Sequence, residues 1–179
     1  ATVAAAEVAR GLVPAAVLDA GELDATRAAA EQIAAAAAAV ASGPRTSLEI
    51  DVALAGGRRL VGVVPDVVGT VIRPVTFSGL KPKHRLTAWA HLLAATASHP
   101  ERGLTATTVT KRATFALPAI DPAVARVRLA ELVALRDEAL AGPIPLYCAT
   151  SFAYAEATRR GRDGAGPAER EWTSTWGFD

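Results

Sequence analysis

Hydrophobic and polar positions change period several times between residues 45 and 117. Leu48, Ile50, Val52 and Leu54 alternate with Glu49, Asp51 and Ala53, the two-residue period of a strand with one face buried. Ala55-Gly56-Gly57-Arg58 follows, and glycines free to take positive φ predict a hairpin turn there. Residues 59–64 return as a second strand. Gly69 permits another turn, and residues 71–77 predict a third strand. Pro74 inside it has no N–H for the ladder, which predicts an edge position or a bulge. Gly79-Leu80-Lys81-Pro82 ends the strands, and Leu86, Trp89, Leu93 and Ala97 then recur at helical spacing over residues 83–98. The Thr/Val-rich segment 104–110 predicts a fourth strand, which residues 114–117 extend or follow with another.

Helical patterns flank this stretch. Residues 3–10 and 22–41 carry helix signals, the second preceded by Asp19 or Gly21, with Glu22 and Asp24 in its first turn, where the helix dipole favours acids. Six alanines, 34 to 39, lie inside it, and Gly43-Pro44 stops it. Asp121-Pro122 reads as an N-cap with proline at the first helical position. Leu129, Leu132, Val133, Arg136 and Leu140 mark one face of that helix, and Gly142-Pro143 closes it. A short helix over 154–160, a polar loop over 161–166 and a last helical turn or two over 169–176 complete the chain. The expectation is a single domain over 1–179: N-terminal helices to residue 44, a sheet core with its helix over 45–117, and C-terminal helices over 118–179. The class is mixed α/β (α+β), and the order across the middle, α-β-β-β-α-β, is that of the restriction-endonuclease-like core.

Composition narrows the picture. Half the residues are apolar, yet no apolar run approaches the 18 that a membrane span needs. No signal peptide opens the chain, and the single Cys148 can form no internal disulfide, so a reducing, cytoplasmic setting is expected. The absence of methionine points to a piece of a longer protein. Arginine outnumbers lysine 16 to 3 and alanine is abundant, as in products of GC-rich genomes. The net charge of +1 excludes a general nucleic-acid sponge. Its distribution is more informative: residues 1–57 carry net −4, residues 58–85 net +5 and residues 86–179 net 0. Arg58, Arg59, Arg73, Lys81, Lys83 and Arg85 supply the positive segment against Asp66 alone. They either line a solvated strand edge and helix start or face DNA phosphates.

Candidate chemistry is sparse. Metal-dependent nucleases need converging carboxylates and a lysine to position water. The acids at hand are Glu49, Asp51 and Asp66, and no Asp/Glu-x-Lys stands on the third strand. His84, His91 and His99 have no i,i+4 partner for zinc. Cys148 reads as a structural thiol, Ser151 lacks a nucleophile-elbow context, and no glycine pair has phosphate-loop spacing, so no cofactor, catalytic residue or metal site is expected. Trp89, Phe152 and Tyr154 suit a core. Trp172, Trp176 and Phe178 crowd the end of the chain, where they dock on their own domain or on a neighbouring subunit.

One stretch carries a family resemblance. Gly62-Val63-Val64-Pro65-Asp66-Val67, then Val75-Thr76-Phe77-Ser78, then a helix with Trp89, Leu92 and Leu93 follow the layout of RecB-type PD-(D/E)xK nucleases. Pro65 stands in the first Asp slot, Thr76 in the second and Ser78 in the Lys slot, with Asp66 one residue beyond the first. This wording, and Pro143-Ile144-Pro145-Leu146-Tyr147 further on, resembles the RecC C-terminal domain family over roughly residues 45–179. The resemblance implies a nuclease-like PD-(D/E)xK fold without its active site, in the non-catalytic subunit of the RecBCD helicase–nuclease (exodeoxyribonuclease V). It further implies contact with RecD and RecB, handling of double-stranded DNA ends and forks during double-strand-break repair by homologous recombination, and no membrane or small-molecule partner. ATP hydrolysis and cutting would belong to RecB and RecD. Two other readings stay open: a working nuclease with an active site migrated to Asp51 and Asp66, and a pure protein-interaction scaffold.

Overall fold

The computed structural model describes the backbone of residue 10 and residues 20–176, and the side chains of residue 10 and residues 24–174. Residues 3–9 of the helix expected over 3–10, and Phe178, lie outside these residues. Helix α1 (Ala20–Val40) leads into strand β1 (Thr46–Ala53), a 3-10 turn (Ala55–Gly57) and strand β2 (Arg59–Val68). The short β3 (Val71–Ile72), helix α2 (Pro82–Ser98), β4 (Thr105–Val109) and β5 (Thr114–Leu117) follow. Helices α3 (Pro122–Ala141), α4 (Cys148–Arg159) and α5 (Ala165–Trp176) close the chain.

The strands form one sheet in the order β1-β2-β3-β4-β5. All neighbours are antiparallel except β3 and β4, which run parallel. A parallel pair needs a crossover connection, and α2 is that crossover. It lies on the sheet face to which Leu48, Ile50, Val52 and Val64 point, and Leu92, Leu93, Ala88 and Ala95 are fully buried there with Ile72 and Ala106. Ala125 and Leu129 of α3 join the same core. A smaller cluster, Ile33 and Ala37 of α1 against Val109 of β4, covers part of the opposite face.

The alternation in β1 predicts its burial: Leu48, Ile50 and Val52 are buried and their odd-numbered neighbours exposed. The hairpin forms where expected, with Gly56 and Gly57 at φ 71° and 73°. Asp121 caps α3 by accepting from the Ala123 and Val124 N–H groups at 2.9 and 3.1 Å.

Four expectations need correction. Strand β2 runs on to Val68, past Pro65, because the register opposite Thr46 and Leu48 jumps from Val67 to Val64. The extra residue makes a bulge that lets the ladder continue. Asp66 occupies it at φ 62°, a left-handed conformation that Asp tolerates better than most residues. The third strand is only Val71–Ile72, followed by a single bridge from Val75 to Val109. It lies inside the sheet, not at an edge. Pro74 breaks the ladder there, and its carbonyl still accepts from the Val109 N–H at 2.9 Å. Helices α4 and α5 begin at Cys148 and Ala165, earlier than residues 154 and 169; Asp163 starts α5 by accepting from the Ala165 N–H at 3.1 Å, and Pro167 is tolerated in that first turn.

β1 is an edge strand of the sheet, and outward backbone groups of Glu49 and Asp51 near its centre are covered. The Asp51 N–H donates to Ser98 Oγ at 3.0 Å, and His99 Nε2 lies 2.7 Å from the Glu49 carbonyl. The end of α2 thus blocks a surface that would otherwise pair with another strand.

Candidate nucleic-acid interface and nuclease-like slots

The slot residues sit on the β2 bulge and on the loop joining β3 to α2. Pro65 is exposed on β2. Asp66 is half-buried, its carboxylate 3.3 Å from the Arg45 guanidinium, and its carbonyl accepts from the Arg73 N–H at 2.7 Å. Thr76 and Ser78 lie beyond the point where Pro74 breaks the ladder. The Thr76 N–H donates to the Val109 carbonyl at 2.9 Å. Thr76 Oγ1 and Ser78 Oγ are 3.2 Å apart, and Ser78 Oγ is 3.5 Å from His84 Nε2. The other ring nitrogen, Nδ1, accepts from the Lys81 N–H at 3.1 Å and closes the first turn of α2. Two hydroxyls and an imidazole therefore meet at the start of α2.

His91 lies two turns further along α2 and is half-buried. Burial pushes its pKa below the usual histidine value, while the negative charge of Asp66 opposes that shift. Glu49 and Asp51 point from the other face of β1 into solvent, and Arg59 grips both oxygens of Asp51. Asp51 and Asp66 thus face separate arginines. Among the described residues no three His, Cys, Asp or Glu side chains gather as a metal site would require.

The six cations of the positive segment differ in their surroundings. Arg58 forks onto Asp137 of α3 at 2.5 and 3.1 Å, and these hydrogen bonds hold the Asp137 carboxyl below its usual range. Arg59 pairs with Asp51 on the exposed hairpin. Arg73 turns inward and donates to the Ala37 carbonyl at 2.6 Å and to the Ala41 carbonyl, tying β3 to the end of α1. Arg85 stacks over Phe115 and Phe152, 4.5 and 5.4 Å from their ring centres. Lys81 and Lys83 are exposed at the start of α2, and among the described residues neither ammonium meets an acidic side chain. Their position adds to the partial positive charge of the helix N-terminus. Lys111, from the next loop, lies over Phe77 at 4.8 Å, and its N–H donates to the Ser78 carbonyl. Charge counting passed over Lys111. Its closeness to the β3–α2 loop depends on the parallel pairing of β3 with β4.

Of the terminal aromatics, Trp172 packs on Tyr147 with ring centres 4.5 Å apart and planes tilted by 59°. The Trp176 side chain lies outside the described residues, as does Phe178. Sequence periodicity also missed an open groove of about 670 Å³ among α2, α3 and α4. Its signal is the surplus of large apolar residues, Leu86, Leu132, Leu135 and Leu146, over what one buried stripe per helix requires.

Comparison with known proteins supplies a family. The family model for the RecC C-terminal domain matches residues 1–159. The RecBCD enzyme subunit RecC of Mycobacterium tuberculosis is 36% identical over 170 residues, covering 91% of this chain and 15% of that protein. The same subunit of Mycolicibacterium smegmatis is 39% identical over 119 residues, 64% of this chain and 11% of that protein. The chain thus spans about 15% of the length of the mycobacterial relatives it matches over most of its own length.

Proposed function

The chain belongs to the RecC C-terminal domain family, and from that premise we propose that it is a non-catalytic, nuclease-like domain of a RecBCD-type DNA-repair complex. On this reading it helps join the RecC subunit to RecD and RecB and handles double-stranded DNA ends and forks in the cytoplasm during repair by homologous recombination. The observation that carries the proposal is the content of the slots. A bulge with Pro65 exposed and Asp66 held by Arg45 leads to the Thr76–Ser78–His84 network. That network has no lysine to activate water and no paired carboxylates to hold Mg²⁺. The α-β-β-β-α-β order from α1 to β4 supports a restriction-endonuclease-like PD-(D/E)xK core. No helix among the described residues is long and apolar enough to cross a membrane.

Within the DNA-contact set, exposure favours Lys81 and Lys83, with Arg58 and Arg59 able to exchange their solvent-exposed carboxylate partners for phosphates. Arg73 acts on DNA only through the structure it holds, and Arg85 offers a phosphate only the edge of a guanidinium stacked on two phenylalanines. Trp172, Trp176 and Phe178 are the proposed partner-facing aromatics. The deciding experiment incubates the purified chain with linear single- and double-stranded DNA in Mg²⁺ and then Mn²⁺, without ATP. No degradation is expected. Metal-dependent cutting lost in Asp66→Ala would replace this reading with a nuclease whose site has migrated to Asp51 and Asp66. A second reading, a protein scaffold with no DNA contact, draws on the engagement of four of the six cations within the fold, Arg58, Arg59, Arg73 and Arg85. Absence of forked-DNA binding at low salt would select it.

A further inference from the structure

The groove among α2, α3 and α4 is apolar at its base and charged at its rim. Trp89 and Leu132 are partly buried at its base against the main core. Leu86 and Leu146 line it while remaining 44% and 50% exposed. Large side chains left half in water beside an open groove cost free energy unless something covers them.

The charges around it are not balanced. The Glu131 carboxylate on the rim is neutralised by Arg128 at 2.8 Å, and Glu156 by Arg160 at 2.8 Å. A neighbouring cleft shares Arg85 and Phe152 with the groove and adds Arg159. Among the described residues, neither Arg85 nor Arg159 forms an ion pair with an acidic side chain. The flat faces of Arg85 are directed at Phe115 and Phe152, so the N–H groups at its edge remain to meet an acceptor. The unmatched charge beside the groove is therefore positive.

We propose that this groove seats the apolar face of an acidic amphipathic helix from a partner protein. Leucine-sized side chains at i, i+4 and i+7 enter between Leu86 and Leu146, and carboxylates flanking that stripe meet Arg85 and Arg159. A cleft bounded by helices accepts another helix by packing its ridge between theirs. The positive rim discriminates against basic helices and sets orientation. The proposal needs no DNA contact and stands if the fork-handling reading fails.

The test uses the 179-residue chain and a fluorescein-labelled, 15-residue helical peptide with leucines at that spacing and glutamates beside them. An isomer with lysine at every glutamate is the control. Anisotropy titration is expected to show saturable binding of the glutamate peptide, with the lysine isomer weaker by about tenfold, as loss of one charge-assisted contact implies. Leu86→Glu is expected to abolish binding without lowering the melting temperature, and Arg159→Glu to weaken it. Capping Cys148, the chain's one cysteine and a groove-lining residue, with a bulky maleimide gives an independent block in the unmutated chain. Equal affinity for the two peptides, no binding at millimolar concentration, or binding that survives both Leu86→Glu and the maleimide would overturn the proposal. So would sedimentation showing a dimer that Leu86→Glu dissociates, because the occupant would then be a second copy of the chain.

Discussion

The two halves of α2 lie on one helix and experience different physics. From Leu92 to Ala97 the helix is buried, with Leu92, Leu93 and Ala95 closed to solvent against β1, β3 and β4. From Pro82 to Leu86 it is partly or fully exposed and carries Lys83, His84 and Arg85 beside the slot loop. In the buried half, packing decides which residue is tolerated. In the exposed half, charge and hydrogen-bonding geometry decide what the surface can bind. A helix shared between core and candidate site lets one element anchor the fold while presenting polar chemistry at its free end.

Substitutions can break or sharpen that contrast. The largest effect is expected from Leu92→Ala, which leaves a cavity in the closed half. It should destabilise by about 3 kcal/mol and lower the melting temperature by about 10 °C, as calorimetry would record. Arg73→Ala comes next. It removes hydrogen bonds to the carbonyls at the end of α1 and should cost about 2 kcal/mol, with faster proteolysis within α1. A loss in DNA affinity from Arg73→Ala without loss of stability would move this cation into the binding set.

At the exposed end the signature reverses. Lys81→Glu with Lys83→Glu should leave the melting temperature unchanged. If these cations meet phosphates, the slope of log affinity against log salt for forked DNA falls by about 2. An unchanged slope would show that both lysines are merely solvated.

His91 adds a pH dependence at the boundary of the two halves. Burial depresses its folded-state pKa below 6.5, so the unfolded chain binds this proton more readily. Its contribution therefore favours folding above pH 6.5, and stability falls as pH drops from 6.5 toward the folded value. His91→Gln should flatten the stability profile in that window, and an unaltered profile would contradict the assignment. The smallest effect is expected for Arg58→Ala, whose ion pair with Asp137 is solvent-exposed and should leave the melting curve unchanged within error.

Much of the fold was legible because local rules and tertiary packing agree. The alternation of Leu48, Ile50 and Val52 became the buried face of β1, and the Asp121-Pro122 pair became the start of α3. The third strand was misjudged because Pro74 announces a broken ladder without saying on which side of the strand the neighbours lie. The bulge at Asp66 was not legible, since one extra residue changes no period in so short a segment. The candidate site was legible only as identities: Pro65, Thr76 and Ser78 are picked out by resemblance to a nuclease layout, an assignment that stays a proposal. The sequence does not show that Ser78 reaches His84, or that Lys111 comes beside the same loop.

The sequence by itself determined the strand and helix order, the main buried stripe and the absence of an Asp/Glu-x-Lys arrangement. Its family-bearing segments led to the RecC C-terminal domain. Those are properties of composition, period and local spacing. Only the tertiary structure decided which charges are structural and which face water. Arg58 meets Asp137 across 79 positions, and Arg73 meets Ala37 across 36. The groove beside Arg85 exists only where three helices converge. Such pairings are set by packing distant segments against one sheet, and no local period encodes them.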